Sequence, residues 1–182
     1  GMQELSLKPR ILILHGWGGS DFPHWQSWLA AELAKNGYPV YFPELPFMHT
    51  PRKKVWLQTL EEIVDSFSPD RIVCHSLANM LWFWYAKKYP QKNFEKVMLV
   101  APPARNTDIK AIDTFFPYPK AATLSQDSIF IASTNDKYMS MEAAIELHKE
   151  LNCDMKIIEN GGHLNFEGGY GAWPFAYDWI TA

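Results

Sequence analysis

Only two of the 182 residues are cysteines, Cys74 and Cys153. Neither sits in a C-x-x-C or any other metal-ligand spacing, so a disulfide framework and a zinc site of the common kinds are excluded, and a reducing, cytoplasmic location is the expectation. No apolar run approaches the roughly 20 residues needed to span a bilayer. The segment Met2-Gln3-Glu4-Leu5-Ser6-Leu7-Lys8 lacks the charged-then-apolar order of a signal peptide. Gly1, ahead of Met2, is expected to be a remnant of tag removal. No block of like charge accompanies the net charge of -3, and the densest basic cluster, Arg52-Lys53-Lys54, falls at a helix start. Nucleic-acid and anionic-membrane partners therefore have no electrostatic footprint. The six histidines include no pair at i, i+4, and no carboxylate completes a metal set.

What is present is apolar and aromatic. Hydrophobic residues make up 47% of the chain, and 8 Trp, 8 Tyr and 11 Phe exceed what one core of this size requires, so some rings are expected to line a pocket. The length predicts a single domain over residues 2–182, burying about 70% of the surface its unfolded chain exposes.

Ile11-Leu12-Ile13-Leu14 is an unbroken apolar run of the kind a parallel strand covered on both faces requires. Similar runs recur at Val40-Tyr41-Phe42, Ile72-Val73-Cys74, Val97-Met98-Leu99-Val100, Ile129-Phe130-Ile131-Ala132 and Met155-Lys156-Ile157-Ile158. Helical spacing of apolar residues fills the intervals over residues 24–36, 51–68, 77–89 and 141–151, with a closing helix over 173–180. Strict alternation predicts an α/β fold of three layers, α/β/α, around a six-stranded parallel sheet. Between residues 104 and 127 the periodicity is lost; this stretch is expected to form a loop or short helical turns and is the only one long enough to act as a small lid.

In such sheets the reactive site lies at the carboxyl ends of the strands. The first strand runs into His15-Gly16-Trp17-Gly18-Gly19-Ser20, whose glycine spacing fits neither G-x-G-x-x-G nor the P-loop, so nucleotide binding is not expected. The third ends at Cys74-His75-Ser76-Leu77-Ala78, which matches the strand, turn and helix of the G-x-S-x-G nucleophile elbow except that Cys74 and Ala78 replace its glycines. The simpler alternative is a serine that merely caps the next helix. The fifth and sixth strands are followed by Asn135-Asp136 and Gly162-His163. The chain order Ser76, Asp136, His163 is that of the α/β-hydrolase triad, in which the imidazole takes the serine proton and the carboxylate holds the imidazole in one tautomer. Asp136 could instead form an Asx turn. The oxyanion donors expected in this arrangement are the backbone N–H groups of Leu77 and Trp17, with Gly16 and Gly18 as alternatives for the second.

His15, Phe22, Phe115, Phe116 and Tyr138 fall at the reactive edge and are the candidate pocket residues, together with the Trp17 side chain. His75 should point away from Ser76 and be structural, and His24, His49 and His148 are expected at the surface or in caps. Cys74, inside the strand, is expected to be a buried small residue.

The chain resembles the retinoblastoma-binding-protein-nine-like (YdeN-like) serine hydrolases, a small α/β-hydrolase family without a large cap. The resemblance rests on His15-Gly16-Trp17-Gly18-Gly19 with Trp25 and Trp28, on His75-Ser76-Leu77 and Asn135-Asp136, and on Gly162-His163-Leu164-Asn165 running into Gly171-Ala172-Trp173-Pro174. It implies a minimal α/β-hydrolase fold, triad roles for Ser76, Asp136 and His163, an esterase-like or related acyl-hydrolase activity on a small ester or amide, and no cofactor. The departure at Cys74 and Ala78 leaves a second reading, a scaffold of low turnover whose aromatic cleft binds a peptide or small molecule.

Overall fold

The computed structural model describes residues 7–182. Gly1 and most of the amino-terminal segment read above lie outside them. Six strands form one sheet: β1 (Ile11–Leu14), β2 (Val40–Tyr41), β3 (Arg71–His75), β4 (Lys96–Val100), β5 (Ser128–Ser133) and β6 (Asp154–Ile158). Their spatial order is β2-β1-β3-β4-β5-β6 and every neighbouring pair is parallel. The order reverses direction at β1, so the loops after β1 and β3 emerge side by side at the carboxyl edge.

Alternate residues of each strand feed opposite faces of the sheet. Leu12, Leu14, Ile72, Cys74, Val97, Leu99, Phe130 and Ala132 pack against α2 (Lys53–Phe67), α3 (Leu77–Lys88) and α4 (Met141–Leu151). Ile11, Ile13, Val73, Met98, Val100, Ile129 and Ile131 pack against α1 (Trp25–Lys35) and α5 (Pro174–Thr181). The three layers follow from this partition. Among the described residues no helix is long and apolar enough to cross a membrane.

The stretch after β4 forms the short helical turns expected of it but not a lid. It holds a short 3₁₀ helix (Lys110–Phe115) and lies against the core rather than over the site. Phe115 is fully buried, with its ring 5.4 Å from that of Trp56, and the Trp84 indole N–H donates to the Phe115 carbonyl at 3.0 Å. Ile112, Tyr118 and Ala121 are buried in the same cluster. A segment anchored by this many apolar side chains is wall, not lid.

Candidate active site

Ser76 joins β3 to α3 with φ 56° and ψ -121°, a left-handed turn that a side chain adopts only when its surroundings impose it. Its N–H donates to the Val100 carbonyl at 2.9 Å, and the buried Asn79 amide bridges the carbonyls of Ser76 and Val100 at 2.8 and 2.9 Å. The turn forms with Cys74 and Ala78 at its flanks, both fully buried. Burial pushes the Cys74 thiol up, which keeps it protonated and unreactive. The Ser76 hydroxyl makes no capping bond to α3. Its Oγ lies instead 2.7 Å from His163 Nε2.

His163 Nδ1 faces both carboxylate oxygens of Asp136, at 3.1 and 3.0 Å, and the Asp136 side chain is almost wholly buried. The loops that carry these two residues are tied together. Asn135 Oδ1 accepts from the Gly162 N–H at 2.7 Å and Thr134 Oγ1 from the Asn160 N–H at 2.9 Å; within the loop after β5, Asp136 Oδ1 accepts from the Tyr138 N–H at 2.9 Å. From the opposite side His75 Nε2–H donates to the His163 carbonyl at 3.0 Å and the Trp25 indole N–H to the Leu164 carbonyl at 2.8 Å. His75 is therefore structural, as its strand position requires. The arrangement leaves His163 Nδ1–H for the carboxylate and the Nε2 lone pair for the serine proton.

The loop after β1 closes on the turn from above. A Cβ added at Gly16 would lie 3.0 Å from Ser76 Cβ, 3.1 Å from the His75 carbonyl oxygen and 3.2 Å from Leu77 N. A side chain there would push the two backbones apart by a few tenths of an ångström, so glycine favours this close approach. The Gly18 N–H donates to the Met48 carbonyl at 2.9 Å and the Gly19 N–H to the Gly16 carbonyl at 3.1 Å, so neither is free for a ligand. Leu77 opens α3, and its N–H has no acceptor within the helix. The Trp17 indole is fastened by a 3.1 Å bond to the His49 carbonyl, with its ring part-exposed.

Two clefts meet at Ser76. The larger, about 380 Å³, runs past Gly16, Phe22, His24 and Phe166; the smaller, about 160 Å³, runs past Leu77, Pro103, Ile112 and Tyr138. Trp17, Ser76, His163 and Asn165 line both. A groove of about 500 Å³ beside α4 contains Ser140, but that hydroxyl caps the helix by accepting from the Ala143 N–H, and no histidine lines the groove.

Of the pocket residues expected from sequence, Phe22 lines the larger cleft and Tyr138 the smaller, its ring edge-on to His163 at 4.6 Å between centroids. Three do not. His15 is buried with both nitrogens engaged: Nε2 accepts from the Leu45 N–H at 2.8 Å and Nδ1–H donates to the Gly16 carbonyl at 2.7 Å. Burial lowers its pKa, so it is a neutral strut between β1 and the segment after β2. Phe115 belongs to the core, and Phe116 packs on it beside Tyr118.

His24 caps α1 through its Nδ1 but is buried, not at the surface, and burial lowers its pKa to about 4. His148 lies in the last turn of α4, its Nε2 bonded to the Cys153 carbonyl. Asn79, Asp21, Asn165, Phe166 and Glu167 were not assigned roles from sequence. Asn79 carried a signal, as the one strongly polar residue in the otherwise apolar start of α3; the others sit in turns without a motif.

The serine hydrolase family model matches residues 11–182. YdeN of Bacillus subtilis (strain 168) is 23% identical over 180 residues, 95% of each chain. The crystal structure of that gene product superposes with a TM-score of 0.79 at 20% identity, over 94% of this chain and 96% of the other. A YdeN-like protein from Pectobacterium atrosepticum follows at 0.76 and 20% identity, covering 94% and 88%. The esterase domain of a Rhodothermus marinus protein gives 0.68 at 12% identity over 97% and 88%, a likeness of fold. The chain belongs to the serine hydrolase family, in its YdeN-like form, and its fold is the α/β-hydrolase fold.

Proposed function

We propose that the chain hydrolyses carboxylic esters, with amides as a second substrate class, through an acyl-enzyme on Ser76. The observation that carries this reading is the 2.7 Å contact between Ser76 Oγ and His163 Nε2, with the far nitrogen of the same ring held by Asp136. His163 takes the Ser76 proton as Oγ attacks the carbonyl carbon. The resulting oxyanion is held by the Leu77 N–H and, from the loop that Gly16 seats against the turn, the Trp17 N–H. As the tetrahedral intermediate collapses, His163 returns the proton to the leaving alkoxide or amine. Water then repeats the sequence in the second half-reaction, losing a proton to His163, displacing the acyl group as its acid and restoring the serine. Asp136 keeps its negative charge throughout and stabilises the imidazolium. No step requires a cofactor.

An ester is placed first because a domain of this fold, that of Rhodothermus marinus, is an esterase. The alternative of an inactive scaffold rested on Cys74 and Ala78; the strained Ser76 conformation between them favours the catalytic reading, since strain of this kind persists where function maintains it. Hydrolysis of short-chain 4-nitrophenyl esters, followed before the steady state, tests it. The expected result is a burst of about one nitrophenolate per protein that disappears in Ser76→Ala. Equal turnover by Ser76→Ala would overturn it.

A further inference from the structure

We infer that the larger cleft receives a substrate bearing an organic cation, an ammonium group carried close to the scissile ester. This rests on the hydrolase reading for its chemistry and on separate observations for its selectivity. Three rings stand at the mouth of the cleft: Phe22, Phe166 and Trp17, exposed to 83%, 50% and 42%. Rings this exposed gain little from folding, and aromatic faces attract cations within about 6 Å of their centroids. Asp21 and Glu167 line the same mouth, no Lys or Arg does, and neither carboxylate is in an ion pair among the described residues. A concave surface with charges of one sign concentrates ligands of the other. Lys137 lines the other cleft, so the field across the serine is polarised and the cation has one preferred arm.

The floor of the cleft is closed by His24. His24 is 7% exposed and lines this cleft, and its Nε2 is buried with no hydrogen-bond partner. Its Nδ1 accepts from the Gln26 N–H at 3.0 Å, which places the proton of the neutral ring on Nε2. That N–H is sealed from the cleft, and the ring stands edge-on to His75 at 4.8 Å between centroids. The expected substrate therefore carries a cation to the mouth, as amino-alcohol esters and esters of quaternary amino acids do.

The test compares isosteres that differ only in charge. Acetylcholine is set against 3,3-dimethylbutyl acetate, and the ethyl ester of betaine against ethyl 3,3-dimethylbutanoate, each rate normalised to hydroxide-catalysed hydrolysis. In parallel, equilibrium binding of choline is compared with that of 3,3-dimethylbutanol, which requires no turnover. The wild type should favour the cation about tenfold in one ester pair and in binding, and this preference should shrink severalfold at high salt. Asp21→Asn combined with Glu167→Gln should bring both ratios to about one, whereas Glu62→Gln combined with Asp65→Asn, the same charge change on the exposed face of α2, should leave them as in the wild type. Choline binding no tighter than that of its neutral isostere, or a ratio untouched by the double variant, would overturn the cation site. Selective choline binding without turnover of any ester would leave the cation site standing and remove the hydrolase reading.

Discussion

The α-carbon of Gly16 faces the turn of Ser76 so closely that a methyl group there would stand 3.2 Å from the backbone nitrogen of Leu77. That nitrogen is the proposed oxyanion donor, so the glycine both seats the loop and keeps the donor open. Gly16→Ala should lower kcat by about 10²- to 10³-fold, the usual cost of one lost donor, with much less effect on KM. Steady-state kinetics on a 4-nitrophenyl ester checks this, and unchanged kcat in a folded variant would place the oxyanion elsewhere.

Asp136 bonds to His163 and to the Tyr138 N–H and itself lines neither cleft. Asp136→Asn can still accept from Tyr138, so the fold should persist while the imidazole loses its orienting charge. We expect kcat to fall about 10³- to 10⁴-fold with little change in thermal midpoint. A loss under tenfold would mean that another group orients His163.

The pocket assignment is tested by two phenylalanines. Phe115→Ala removes a fully buried ring and should cost about 3–5 kcal/mol of unfolding free energy. Phe22→Ala removes an exposed one and should change stability by no more than about 0.5 kcal/mol while altering KM. Denaturant titrations separate the two, and similar stability losses in both would contradict the assignment.

His15, His24 and His75 are all held neutral by burial, with pKa values depressed below 6.5, that of His24 to about 4. The unfolded chain therefore binds more protons than the folded chain below about pH 6.5, and stability falls as the pH drops from 6.5 toward 4. Each such group contributes up to about 1.4 kcal/mol per pH unit across its window. His24→Asn keeps an N-cap acceptor and removes the titration, so it should shallow the decline by about one proton. A wild-type stability equal at pH 7 and pH 4.5 would contradict this.

Much of the fold was legible because strands covered on both faces need unbroken apolar runs, and Ile11-Leu12-Ile13-Leu14 or Val97-Met98-Leu99-Val100 cannot serve many other roles. The candidate site residues Ser76, Asp136 and His163 were legible because their positions are tied to strand ends and to chain order. The pocket was not. Phe115 and Phe116 lie where periodicity vanishes, and a ring in an irregular segment turns toward core or solvent according to neighbours distant in sequence, here Trp56 and Trp84. His15 follows a strand as a site residue would, and only the Leu45 N–H decides that it is a strut. Phe166 and Glu167 reach the cleft through a 3₁₀ turn that Asn165 caps, a local geometry with no periodic signature.

The central claim is an activated hydroxyl at Ser76. Intact-protein mass spectrometry after exposure to a fluorophosphonate tests it most directly, with Ser76→Ala and His163→Ala treated in parallel. The account predicts one adduct per wild-type chain and none on either variant. No adduct on a folded wild-type chain, or an adduct that survives Ser76→Ala, would contradict it.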